Sequence, residues 1–225
     1  QATDNSGYGK TTGTIEGATV TAANVHSDGN VQTLSASTTT NASGEYSLEI
    51  SDPSPVVMVK AEKDNYSSST LVYIEGDGSA DVQAQPINVE TEAEANVYVD
   101  AKSNGSDHFT VADAAIYVDK QLAAQIESGA TSSSEVAGVV ATSADTEAEF
   151  IANSDAAGEA AVEQTTEAKA EAYADLQASL ANAGDSSAEA DAMVSFQQTI
   201  HDAYLSADIP AEVYAKARQS AHATV

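Results

Sequence analysis

Four histidines are the side chains best suited to moving protons or holding a transition metal near neutral pH: His26, His108, His201 and His222. None has a second histidine three or four residues on, the spacing that sets two imidazoles on one helix face. His201 and Asp202 are adjacent and so do not share a face. The chain holds no HExxH and no GxSxG, and Gly76-Asp77-Gly78 is not followed by a phosphate-loop lysine. With no Cys there is no disulfide, thiolate metal site or Cys nucleophile. Carboxylate pairs such as Glu147 and Glu149 are plentiful, but 35 acids generate pairs without any catalysis. A glycosidase surrounds its acids with an aromatic-lined cleft, and this chain has no Trp and only 5% aromatic residues. The acids therefore read as a solvated face.

Calcium is the one ligand the residue types suggest. Asp28 and Asn30 share a turn, as do Asp77 and Asp81, and Asn104 and Asp107. Hard oxygens in loops suit Ca²⁺, so Asp28, Asn30, Asp77 and Asp81 are candidate ligands of a structural calcium. None of them matches the EF-hand spacing, and Asp, Asn and Gly are also ordinary turn residues. No cofactor is required by any motif.

The charge balance narrows the partners. Thirty-five acids against 8 Lys and Arg leave a formal charge of −27 on 225 residues. A nucleic-acid binder needs a basic face to displace counterions from phosphate, and eight cations do not build one. Anionic lipid is disfavoured by the same sign of charge. No apolar run approaches the ~20 residues of a membrane span. Gln1-Ala2-Thr3-Asp4 looks like a processed start, as after removal of a signal peptide, although a trimmed chain looks the same. The acidic balance suits export into salty surroundings, where salt screens the repulsion between carboxylates, with a cytosolic acidic protein of a salt-adapted cell as the alternative.

The elements that must position any site change character near Glu90. Residues 1–90 hold 9 Ala and 8 of the 13 Gly, whereas residues 91–225 hold 35 Ala and 5 Gly. The first part reads as strands and turns, the second as helices. Residues 1–11 are polar and glycine-rich, a flexible arm with one aromatic, Tyr8. Strands are expected around Ile15–Ala22, over Val31–Thr40, at Tyr46-Leu48-Ile50, over Val56–Glu62 and Thr70–Glu75, and over Asp81–Val89. Turns at Asp28-Gly29, Ser43-Gly44, Asp64-Asn65 and Asp77-Gly78 separate them. Several short strands at this spacing predict an antiparallel β-sandwich over 12–90.

The same stretch carries a family pattern. Gly13-Thr14-Ile15-Glu16-Gly17-Ala18-Thr19-Val20-Thr21-Ala22, Thr40 to Leu48 and Val57 to Tyr66 resemble three signatures of carboxypeptidase regulatory-like domains. Where that family usually has Gly-Tyr, this chain has Asn65-Tyr66. Asn tolerates positive φ, so the turn survives the change. The resemblance covers about residues 12–75 and implies a transthyretin-like sandwich, a non-catalytic module of secreted and cell-surface proteins. It brings no catalytic residues.

The remainder, 91–225, reads as an Ala-rich helical domain. Thr91 at N-cap with Glu94 at N3 predicts a capping box, with the helix stopped at Asn104-Gly105. Thr110 starts a second helix whose stripe Val111, Ala114, Ala115, Val118, Leu122 and Ile126 runs to Gly129. A third begins at Ser133 or Ser134 and continues to Ile151. A fourth covers Asp155–Ala183, with Gly158 as an early break, a fifth begins at Ser187, and Pro210 opens a sixth. Tyr46, Tyr66 and Tyr73 are expected in the sandwich core or at its corners, and Tyr98, Tyr117, Tyr173, Tyr204 and Tyr214 along helical stripes.

The expected fold is α+β: an arm over 1–11, a β-sandwich over 12–90 and a helical domain over 91–225. The expected function is that of a non-enzymatic secreted structural protein, a self-assembling subunit of an extracellular filament or other cell-surface assembly. Its partners are further copies of itself. A monomeric adhesin or a glycan- or protein-binding module is the alternative, and an enzyme with an unrecognised acidic site is the third reading.

Overall fold

The computed structural model describes residues 13–76, 81–154 and 158–207. The expected arm over 1–11 with Tyr8, the turn residue Asp77, and the helix opened by Pro210 with Tyr214 lie outside these residues.

Four strands, β1 (Thr19–Val25), β2 (Val31–Thr39), β3 (Val56–Lys63) and β4 (Tyr66–Tyr73), form one antiparallel sheet in the order β2-β1-β3-β4. Local chemistry sets the hairpins. Gly29 turns β1 into β2 at φ +77, and Asp64 occupies the left-handed region at φ 52 in the two-residue β3–β4 turn. A Cβ on Gly29 would run into the Ser103 backbone, so glycine there also lets the hairpin touch the helical part. A register shift between Thr21 and Ala23 marks a bulge in the β1–β2 ladder.

Two expected strands lack a ladder. Residues 45–50 keep the period-2 pattern, with Tyr46, Leu48 and Ile50 half-buried and Glu45, Ser47 and Glu49 exposed, yet they belong to no strand. Residues 81–86 are likewise irregular, with a single bridge at Ile87. Both segments lie on one face of the sheet, where Tyr46, Leu48, Ile50, Ala84 and Ile87 cluster with Val20, Ala22, Val57, Val59, Ala61 and Val72. Among the described residues one sheet is formed, and these segments cover it through side chains. The alternation was a correct reading of which side chains turn inward. It did not report pairing, because a strand needs a partner's backbone beside it.

Six helices follow: α1 (Val89–Ser103), α2 (Val111–Tyr117), α3 (Lys120–Glu127), α4 (Ser133–Ser154), α5 (Gly158–Asn182) and α6 (Ser186–Ser206). The capping box of α1 lies three residues earlier than expected. Asn88 is the N-cap and Thr91 is N3, each side chain bonding the other's backbone N–H at 3.0 Å. The single expected helix from Thr110 to Gly129 is two. Val118 leaves helical geometry, and Asp119 starts α3 by accepting from the Leu122 N–H at 2.8 Å. The apolar stripe persists across the break because Val118 and Leu122 are both buried.

The expected division near Glu90 separates strands from helices in sequence, but the core crosses it. Val25, Val56 and Leu71 on the sheet's second face belong to one apolar cluster with Val97, Phe109, Val140, Tyr173, Phe196 and Ile200 of the helical part. Helices α1 and α5 pack on β4, and α4 and α6 pack behind them. Ala supplies many of the buried helical positions, which lets the helix axes approach at the cost of area buried per residue.

Candidate functional site

The two edges of the sheet are treated differently. At β4, alternate residues direct their backbone groups away from β3, and side chains of the helices meet them. Thr91 donates its hydroxyl to the Ser69 carbonyl at 3.0 Å, and Tyr173 donates to the Leu71 carbonyl at 3.3 Å. Gln177 accepts from the Tyr73 N–H at 3.0 Å and donates to the Tyr73 carbonyl at 2.8 Å, which is how a further strand would bond it. At the opposite edge, β2 pairs with β1 alone among the described residues. Its residues are exposed or half-buried throughout, including Val31 at 39%. One edge is met by the helices, and the other has no further strand beside it among the described residues.

The face under residues 45–50 carries a cleft of about 600 Å³, lined by Tyr46, Leu48, Ile50, Val72, Ile74 and the 81–84 segment. The Tyr46 hydroxyl is enclosed without a hydrogen-bond partner among the described residues, and burial followed by the neighbouring Tyr66 raises its pKa. Tyr46 is thus on the face expected of it, as is Tyr66, whose hydroxyl donates to the Ile87 carbonyl at 3.4 Å.

Two groups of acids are buried, which the expectation of a solvated acidic face did not foresee. In the first, Lys169 of α5 lies 3.0 Å from Asp113 of α2 and 3.0 Å from Glu147 of α4, with all three side chains no more than 8% exposed. Burial alone would discharge the lysine, but the two carboxylates outweigh it and its pKa is raised. The Tyr204 ring adds a cation–π contact at 5.7 Å. Of the pair noted in the sequence, Glu147 is inside and Glu149 is exposed.

In the second group, Glu94 of α1 points inward beneath Glu90, one helical turn away. The Gln85 amide donates to Glu94 at 3.1 Å and to the Tyr173 hydroxyl at 2.9 Å, joining the acid to the β4 edge through Tyr173. Burial, followed by the charge of Glu90, pushes Glu94 up to about 8. Burial pushes Glu90 up to about 7 against the pull of Lys120. A cleft of about 170 Å³ opens on this pair, with Lys120 and Glu189 at its mouth joined by a 3.3 Å ion pair.

Of the calcium candidates, Asp28, Asn30 and Asp81 lie among the described residues. Asp28 accepts from the Asn30 N–H at 3.0 Å, a turn-closing bond within the β1–β2 hairpin. Asp81 is exposed at the rim of the large cleft, and Asp77 lies outside the described residues. Beside Asn104, the Asp107 carbonyl accepts from Lys102 at 3.1 Å. Among the described residues no three His, Asp or Glu side chains are grouped to hold a metal ion. His26 meets Gln32 at 3.2 Å across the hairpin.

The sequence signals for the buried acids were weak but present. Asp113 follows Thr110 at capping-box spacing and Glu94 follows Glu90 by one turn. Neither spacing tells which face turns inward. Comparison with protein-family models, with curated proteins and with solved structures finds no match for this chain.

Proposed function

We propose that the chain is a non-enzymatic extracellular structural subunit that assembles with copies of itself through the open β2 edge. The observation that carries this reading is the asymmetry of the sheet. Unpaired strand edges attract further strands, and proteins close the edges that must stay single. Here side chains of the helices meet outward backbone groups of Ser69, Leu71 and Tyr73 on β4, whereas β2 has no further strand beside it among the described residues. An added strand gains affinity from backbone hydrogen bonds, so it needs little hydrophobicity. The polar segment 1–11 is the proposed incoming strand.

The carboxypeptidase regulatory-like reading belongs to the same proposal. Its support is the alternating segment 45–50 lying over the sheet, where the second layer of a sandwich belongs. A monomeric surface module that binds protein or glycan is the second reading, favoured by the cleft beside Tyr46.

Light scattering and electron microscopy of the purified chain separate the two. A polymer is expected, whereas a sharp 23.0 kDa species supports the monomeric module. The double variant Ser35→Glu, Ser37→Glu sets like charges along the β2 edge and is expected to abolish the polymer while leaving the circular-dichroism spectrum unchanged. A chain beginning at Thr12 is expected to lose assembly in the same way. If both still polymerise, the contact lies elsewhere, and the exposed Val194 and Leu205 of α6 become the place to look.

A further inference from the structure

We propose that Lys169 and Asp113 condense to an intramolecular amide that staples α5 to α2, with Glu147 carrying the proton. The inference rests on the buried cluster and is independent of the mode of assembly.

The parts of a condensation site are in contact. The Lys169 Nζ is 3.0 Å from Asp113 Oδ1 and 3.0 Å from Glu147 Oε1, and the three side chains are 8%, 2% and 7% exposed. In open water an amine and a carboxylate stay hydrated and apart. A fixed contact in a nearly dry core replaces an encounter with a held geometry. It also removes two desolvated charges on reaction, since ammonium and carboxylate become one neutral amide.

The hydrogen bonds distinguish the roles of the two acids. Asp113 Oδ2 accepts from the Thr110 N–H at 2.9 Å and from the Thr110 hydroxyl at 2.7 Å. Those donors face the oxygen on which negative charge develops when an amine attacks the carboxyl carbon. Oδ1, on the lysine side, is the leaving oxygen. Asp113 is therefore the acyl donor. Glu147 accepts from the same ammonium at 3.0 Å and is placed to relay its proton.

The step balances without any added reagent. One ammonium proton passes from Lys169 through the Glu147 carboxylate to Asp113 Oδ1, which leaves a neutral amine beside a neutral carboxyl. The amine attacks Asp113 Cγ, forming the C–N bond. The nitrogen then gives one proton through Glu147 to the Oδ1 hydroxyl, and the Cγ–Oδ1 bond breaks as Oδ1 leaves as water. The amide keeps one N–H, and Glu147 is again a carboxylate. A cavity of about 20 Å³ touches Asp113, Glu147 and Lys169 and is walled by Ile116, Ile200 and Tyr204. That is room for about one water, the product to be released.

Intact mass spectrometry of the full denatured chain, followed by proteolytic mapping, is the test. The expected result is a mass one water below that of the sequence, with a branched peptide joining Lys169 to Asp113. Lys169→Arg is expected at its full sequence mass. Glu147→Gln, with its circular-dichroism spectrum retained, is expected to stay predominantly at full mass because the relay is gone. A natural chain at full mass overturns the proposal. So does a water loss that maps to a succinimide at Asp28-Gly29 with no branched peptide. Equal cross-linking in Glu147→Gln overturns the role given to Glu147.

Discussion

Glu94 shows what burial does to a single carboxyl. Its neighbours offer one amide donor from Gln85 and the charge of Glu90 above it, with no ammonium at contact distance among the described residues. The proton therefore stays on to about 8, and on Glu90 to about 7, against an ordinary 4.5. A carboxyl whose pKa is raised by folding favours the folded state below its unfolded value and loses that contribution as pH rises through the folded one. The melting temperature is expected to fall as pH climbs from 4.5 through 7 to 8. Glu94→Gln keeps the shape of the neutral acid and should flatten that slope, giving a variant more stable than the natural chain on the alkaline side. Thermal melts of both proteins across this range check it, and parallel slopes would assign the titration to other groups.

At the scale of elements, Gln177 substitutes for a strand. From α5 it satisfies both the N–H and the carbonyl of Tyr73, and Thr91 and Tyr173 do the same for carbonyls further along β4. Helix and sheet are thereby tied by hydrogen bonds as well as by apolar contact. Gln177→Ala leaves the Tyr73 backbone groups without these partners in a largely enclosed place. The expected cost is about 1–3 kcal/mol, read as a lower urea midpoint with an unchanged m-value. A midpoint within error of the natural chain would mean that water reaches Tyr73 and takes over both bonds. The buried Lys169 cluster acts at the same scale, drawing α2, α4 and α5 to one point.

The whole molecule carries −27, and its cations are few. Lys169 is enclosed, and Lys102 is bound to the Ser106 and Asp107 carbonyls and lies over the Tyr98 ring. Little cationic surface is left to offset the exposed carboxylates of α4, α5 and α6. Unscreened repulsion opposes the compact state, and salt relieves it within a Debye length of ~10 Å at 0.1 M. The melting temperature is expected to rise with NaCl and then level off. A flat or falling curve would show that the carboxylates are already compensated locally. For the assembly proposed along β2 the same charge would set a condition, since like-charged copies would meet there only where salt screens them.

Local chemistry was legible from the residues alone. The Asp28-Gly29 and Asp64-Asn65 hairpins, the Asn104-Gly105 stop of α1, the Thr110 start of α2 and the extent of β2 and β3 all depend on residues within a few positions of one another. The alternation at Tyr46, Leu48 and Ile50 was also correct about which side chains turn inward. What the residues could not tell was who would stand opposite. Residues 45–50 have an inward face but no ladder, because pairing requires a second backbone at hydrogen-bonding distance. Thr91 stands at N3 with Asn88 as the N-cap, and its hydroxyl meets the Ser69 carbonyl of β4, 22 residues earlier in the chain. Among 35 acids, only the packing of α1, α2, α4 and α5 decided that Glu94, Asp113 and Glu147 would be enclosed and that Glu149 would not. The closed edge depends on Gln177 meeting Tyr73 across 104 residues of chain. Backbone preference acts over one turn or one hairpin, whereas burial and edge closure are set by whatever distant segment the fold brings alongside.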